Sequence, residues 1–337
     1  MTSRDGYLNA TEAARALGIT RATLYAYVSR GLIRSERSQG RSRRYHESDV
    51  ALLKRGGESA ARPDVETAIT LALEGKLYYR GRDAAELART VSVREAAALL
   101  WQADPVASFA ADNLPDPLEN QAALLDALSP LPPAARARAL LQAAAAEHPA
   151  SGDTAAFFGY AGARLLRFLA ASVAGISPSA RPVEAVLAEA WNLGRDHRPL
   201  LRAALILAAD GGIDAASQAA RLACSSGVPP WQSVGCGLAA LHLGGTPPLF
   251  AGADPRGGLL LAMLGAGAGS AGATFEAALS LLEARLELPR GAAEALLLLG
   301  RSIGLMAHVA EETLALRHPR PRGCYVGPPP LEAPKNP

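Results

Sequence analysis

The chain has 337 residues, 49% of them hydrophobic, 20% charged and only 5% aromatic, which excludes a disordered chain and supplies core for two or three domains. Net charge is +2, too small to name a partner. Its distribution is uneven: residues 1–62 hold 12 Arg/Lys against 6 Asp/Glu, and the remainder 22 against 26, so a basic head precedes a mildly acidic body.

Alanine and leucine dominate and β-branched runs are few, which favours helix over sheet. Residues 7–55 read as one unit. Thr11 is placed to cap a helix that turns Ala14 and Leu17 inward and ends at Gly18. Thr20 caps a second helix, TRATLYAYVSR, with Leu24 and Val28 four apart, and Gly31 ends it. Leu32-Ile33, a polar segment with Gly40, and Arg43-Arg44-Tyr45 predict two short strands joined by a loop, before a further helix start in HESDVALLKR. GGESAARP, residues 56–63, is a linker by composition. From Asp64 onward the pattern predicts nearly continuous helix, with breaks at Pro or Gly clusters over 113–117, 129–133, 177–182, 227–230, 244–258 and 318–330. Residues 329–337 read as a disordered tail. No internal repeat is visible.

Cys224, Cys236 and Cys324 form no CxxC pair, so neither a disulfide framework, a structural zinc nor any other metal site is expected, and Cys224 and Cys236 read as core. The N-terminus lacks the apolar run of a signal peptide. The uncharged stretch Leu222 to Ala253 is interrupted by Pro229-Pro230 and Pro247-Pro248, and Gly257 to Phe275 holds six glycines. Neither suits a membrane helix, and the second reads as a close-packed buried segment. The expectation is a soluble cytoplasmic protein.

Two short helices followed by a basic hairpin suit a winged helix-turn-helix that binds DNA. Arg21, near the N-terminus of the second helix, and Tyr25, one turn on, are the candidates to meet bases. Arg41, Arg43 and Arg44 in the wing can neutralise phosphates. The bland alternative is a small basic helical module that binds protein, or a vestigial domain. The segment LNATEAARALGITRATLYAYVSRGLI…SRRYHESDV resembles the MerR-type helix-turn-helix over about 50 residues.

In the body, DVETAITLALEGKLYYRGRDAAELARTVSVREAAALLW, ALILAADGGIDAASQAAR, PPLFAGADPRG, ELPRGAAEALLLLGRSIGLMAHVAEE and RPRGCYVGP follow one another. In that order they resemble the motifs of citrate synthase. The resemblance implies an all-α body with large and small helical subdomains over 64–328, shortened after Leu241 and preceded by the head at 1–55. It also implies a dimer with shared sites. The family condenses acetyl-CoA, here a possible co-substrate and not a bound cofactor, with oxaloacetate. That reaction needs a carboxylate base, histidines that polarise carbonyls, and arginines that clamp carboxylates.

By the same resemblance Arg256 stands at the Asp-Pro-Arg position, Arg301 in the last long helix, and Arg320 where the family reaches into the partner's site. Each is alternatively a surface salt bridge. The histidines are mostly gone. Gly211-Gly212 replace His-Glu, Pro247-Pro248-Leu249-Phe250 replace His-Pro-Leu-Tyr, and the Gly-Pro-x-His-Gly-Gly block is missing. His242 is either a displaced remnant of the catalytic histidine or a histidine ending a buried helix. Glu276 stands for the aspartate of Asn-Val-Asp, one methylene longer, or is a helix N-terminal glutamate with Thr274 as cap. His308 matches the family's Ala-His and carries no assigned role. The expectation is a DNA-binding regulator that binds an oxaloacetate- or citrate-like carboxylate with weak or no synthase activity. Two alternatives stand beside it. One is an active citrate synthase or related acyltransferase of the tricarboxylic acid cycle, using Glu276 and His242. The other is a non-catalytic subunit lending Arg320 to an intact paralogue in a heterodimer.

Overall fold

In the computed structural model the residues described are 7–29, 33–37, 43–47, 49–50, 65–147, 151–243, 249–250, 254–265 and 273–315. The chain separates into two compact units, residues 1–66 and 67–337. Arg41, Arg320, Cys324, the 56–63 linker and the 329–337 tail lie outside the described residues.

The head opens with β1 (Tyr7–Asn9), then α1 (Ala10–Leu17), α2 (Arg21–Ser29), β2 (Ser35–Arg37) and β3 (Arg43–His46). Thr11 does not cap α1. Asn9 does, because its side chain accepts from the Thr11 and Glu12 amides while Glu12 reaches back to the Asn9 amide, a complete capping box. Gly18 ends α1 in the left-handed region, φ +67°. Thr20 accepts from the Thr23 amide at 3.2 Å as the α2 cap. The second expected strand is β3, but the first lies at Ser35–Arg37 and not at Leu32-Ile33; the two pair with Glu36 opposite Arg44 and Arg37 opposite Arg43. The sequence reading missed β1, which covers the other edge of β3. Ala13, Ala14, Leu24, Ile33, Tyr45 and Val50 form the head's own core.

The body does not begin as helix. A three-stranded antiparallel sheet comes first: β4 (Thr70–Leu73), β5 (Lys76–Tyr79) and β6 (Arg82–Asp83). The reason is local. Glu74-Gly75 (φ +50°, +72°) and Arg80-Gly81 (φ +49°, +80°) are two-residue turns of the kind that matches strand twist. Among the described residues thirteen α-helices follow: α3 (Ala84–Thr90), α4 (Val93–Trp101), α5 (Pro105–Ser108), α6 (Gln121–Ala127), α7 (Pro133–Glu147), α8 (Ala155–Ala174), α9 (Val183–Ala190), α10 (Arg198–Leu207), α11 (Ala215–Ser225), α12 (Pro230–Ala240), α13 (Pro255–Met263), α14 (Phe275–Arg285) and α15 (Ala292–Leu314). The breaks expected at 113–117 and 177–182 fall between helices, those at 129–133 and 227–230 do so except that Pro133 and Pro230 open the helices that follow, and the one at 318–330 lies outside the described residues. The expected break over 244–258 is cut short, because Pro255 at the first helical position and the Asp254 cap begin α13 there. Cys236 is exposed on α12, not in the core, while Cys224 is half-buried.

Helix α15 is the axis of the body. It contacts α4, α7, α8, α10, α11, α12 and α14. It is long and apolar enough to cross a membrane, yet 94% of its apolar window is buried inside the body. Its neighbours supply the apolar solvent that a bilayer would otherwise provide.

Candidate functional site

Arg301, His308, Glu311 and Glu312 lie on α15 at helical spacing, so they share one face. Gly304 sits among them. A Cβ there would run into the Ala209 carbonyl and lie 2.6 Å from Asp210 Oδ1. Its absence lets the chain beyond α10 press against α15, and the Gly304 amide donates to Ala209 O at 2.9 Å.

That approach delivers Asp210 to the α15 face, fully buried. Its Oδ1 accepts from Arg301 Nη1 at 2.7 Å and from His308 Nε2 at 3.2 Å. Its Oδ2 accepts from the Thr70 hydroxyl at 2.6 Å and the Gly212 amide at 3.0 Å. Burial alone would raise this carboxyl. The His308 ring, the Arg301 guanidinium and the Thr70 hydroxyl outweigh it and hold Asp210 well below the usual carboxylate range. Arg301 Nη2 donates to both oxygens of Asp214 at 2.9 and 2.8 Å, and Asp214 is also the N-cap of α11. Arg221 Nη1 meets His308 Nδ1 at 3.1 Å and Glu311 at 2.8 Å, and its Nη2 meets Glu312 at 2.7 Å. A guanidinium can only donate, so Nδ1 of His308 accepts and the proton donated to Asp210 sits on Nε2. Thr70, Asp210, Arg301, Asp214, His308, Arg221, Glu311 and Glu312 thus form one buried polar network.

The sequence candidates fall differently around it. Arg301 is in the network, but the chain's own carboxylates occupy both of its terminal nitrogens. Arg256, on α13, is 8% exposed and pairs with Asp254 through Nη2 at 2.7 Å and Nε at 3.1 Å. Its guanidinium carbon lies 4.9 Å from the centre of the Phe275 ring. Burial works against this cation, and Asp254, Tyr79 and Glu276 outweigh it and raise its pKa. The buried Tyr79 hydroxyl donates to the Leu207 and Asp210 carbonyls, and burial pushes its phenol well up. Glu276 is half-buried in the first turn of α14, with Thr274 capping as anticipated by accepting from the Ala277 amide at 3.2 Å. The structure therefore brings Arg256 and Glu276 within electrostatic reach. His242 is exposed just past α12 and, among the described residues, has no hydrogen-bond or ion-pair partner.

Gly211 and Gly212 have a structural role. Gly212 adopts φ +73°, and a Cβ on Gly211 would lie 3.2 Å from both Arg301 Nη1 and Asp214 Oδ2. Sequence reading missed Thr70, Asp210, Asp214, Arg221, Glu311 and Glu312 as members. The signal was present in the 301, 308, 311, 312 spacing, but nothing local named their partners.

In the head, Arg21, Tyr25 and Arg43 line one groove of about 850 Å³, together with Thr11, Val28 and Tyr45. The Arg21 guanidinium is steadied by the Thr11 hydroxyl, and Tyr25 is 52% exposed. Arg44, the next residue of β3, points to the opposite face, where its guanidinium lies 5.2 Å from the Tyr7 ring centre. Arg37 and Arg43 are cross-strand partners, and both are exposed. Two like charges directly opposite are unfavourable unless an anion sits between them, so Arg37 joins the wing candidates.

The sequence model for the C-terminal domain of citrate synthase matches residues 61–244, and that for a helix-turn-helix domain matches residues 7–57. No curated protein sequence matches the chain. Citrate synthase from Thermotoga maritima MSB8 is similar at 20% identity and a TM-score of 0.62, over 81% of this chain and 96% of that one. Citrate synthase from Pyrobaculum aerophilum is similar at 16% identity and a TM-score of 0.62, over 89% and 96%. Citrate synthase from Thermoplasma acidophilum, solved with carboxymethyl coenzyme A and oxaloacetate, is similar at 17% identity and a TM-score of 0.60, over 83% and 97%. At these identities the likeness establishes the fold.

Proposed function

This chain belongs to the citrate synthase family, with a helix-turn-helix domain ahead of the family body, and on that premise we propose that it is a cytoplasmic DNA-binding regulator whose body no longer performs citrate synthesis. One observation carries the reading. The buried network's central cation, Arg301, is neutralised by Asp210 and Asp214, and Gly211 and Gly212 beside it carry no side chain that could act as acid or base. Transition-state stabilisation needs donors free to meet developing charge. Here they are spent on internal ion pairs.

An oxaloacetate- or citrate-like carboxylate would reach Arg301 by displacing Asp214 and Arg256 by displacing Asp254. Displacing Asp214 also removes the α11 cap, worth about 1 kcal/mol. Ligand occupancy is thereby tied to the start of a body helix, which is what a sensor requires. A MerR-type head on a dimeric body would present two recognition helices to a two-fold DNA site.

Two assays on the full chain test this. Selection from a random DNA pool is expected to yield a specific site whose binding weakens with salt. Thiol release from acetyl-CoA with oxaloacetate is expected to stay at background. Turnover near the usual enzyme range of about 1–10³ s⁻¹ would overturn the reading in favour of an active synthase.

A further inference from the structure

A cavity of about 280 Å³ opens in the body where α4, α8 and α9 meet, and Arg94, Arg167 and Arg181 line it around an apolar wall of Phe109, Leu166 and Val183. It shares no residue with the Arg256–Arg301 region. Arg167 is 3% exposed, yet it is bonded only to carbonyls: Nη1 to Ala110 and Asn113, Nη2 to Phe109. Arg94 donates to the Ala180 carbonyl at 3.1 Å. Among the described residues neither has a carboxylate partner. Their guanidinium carbons lie 5.9 and 5.6 Å from the centre of the same Phe109 ring. Arg181 pairs with Glu189, but that pair is solvent-exposed, at 44% and 67%, and free to rearrange.

Three cations therefore face one carboxylate on the rim, Glu184. A buried cation without a counterion is a standing cost. Burial and the neighbouring Arg94 charge both weaken the hold of Arg167 on its proton, with only Asp112 opposing. Two further groups are left unmet. Helix α9 begins after Pro182 with no side-chain cap. The Ser179 hydroxyl, in a small adjoining recess that shares Arg167, Arg181 and Val183, is buried without a partner.

We propose that this cavity binds a small organic oxyanion, a carboxylate or phosphate monoester, whose apolar stem lies against Phe109, Leu166 and Val183 and whose head bridges Arg94, Arg167 and Arg181. The volume sits just below the roughly 300–1,000 Å³ of ordinary ligand pockets, which excludes a dinucleotide and suits a single ring or short chain. The site is independent of the regulatory reading above and of the family chemistry.

Titration calorimetry on the full chain tests it, with phenyl phosphate and benzoate as probes and benzyl alcohol as their uncharged analogue. Saturable one-to-one binding of at least one anion, with none of the alcohol, is expected. Arg94→Gln and Arg181→Gln each replace a partly exposed side chain, and each should weaken binding about tenfold or more, the loss of one charge-assisted contact. Thermal unfolding checks that both variants remain folded. Binding that both variants leave unchanged would overturn the proposal and point to the Arg256 region instead. Absence of saturable binding by either anion, or equal binding of the alcohol, would overturn it as well.

Discussion

Asp210→Asn isolates the buried network, because it keeps the shape and removes the charge. The Arg301–Asp210 pair is almost fully desolvated, with side-chain exposures of 3% and 0%. The aspartate accepts four hydrogen bonds, two on each oxygen. An asparagine with its oxygen toward Arg301 and His308 presents an NH₂ group to Thr70 and the Gly212 amide. The hydroxyl can reverse its role, but the amide cannot. Removing one partner of a buried pair costs about 3–5 kcal/mol, which at about 2–4 °C per kcal/mol lowers Tm by roughly 6–20 °C for a body of this size. The pH dependence supplies a second signature. The folded-state pKa of Asp210 is depressed, so its contribution is present above the unfolded value, near pH 4, and is lost as pH falls below it. Wild type should therefore lose stability on acidification faster than Asp210→Asn, and the two Tm curves should converge. Calorimetric unfolding across acid pH measures both effects. A Tm within about 2 °C of wild type at neutral pH, or parallel acid limbs, would refute the network's role.

Three more outcomes follow from the geometry. Restoring the family's residues with Gly211→His and Gly212→Glu should yield no thiol release and a lower Tm, since a non-glycine residue at φ +73° costs roughly 1–2 kcal/mol; turnover in that double variant would contradict the structural role given to both glycines. In DNA titrations over a salt series, Arg43→Ala should lower the salt slope by about one, while Arg44→Ala, on the opposite face of β3, should leave it unchanged; equal effects would mean that the sheet face does not define the interface. Gly304→Ala pushes a methyl into the Ala209 carbonyl and should cost about 1–3 kcal/mol in denaturant unfolding, and a neutral result would mean that the α15 approach is looser than described.

Much of the molecule was legible without coordinates. Helix breaks followed Pro and Gly clusters because those residues lack the donor or the conformational restraint that helix needs. Gly18 and Thr20 acted as punctuation for the same local reasons. The sheet at 70–83 was equally readable, since Glu74-Gly75 and Arg80-Gly81 are hairpin turns separated by one strand length, but a helix-rich composition masked them. The separation of Arg43 from Arg44 follows from the period of two along a strand, and it emerges only once β3 is known to be a strand.

The sequence by itself determined the helical body, the helix-turn-helix head and the family, because residue type and spacing along one chain carry all of these. The tertiary structure alone decided what the retained arginines do. Arg301 meets Asp210 from 91 residues away, and Arg167 meets the carbonyl of Asn113 from 54 residues away. Whether a guanidinium is filled by its own chain or left open to a ligand depends on which distant backbone folds against it. Only packing sets that approach, through gaps such as the missing Cβ of Gly304.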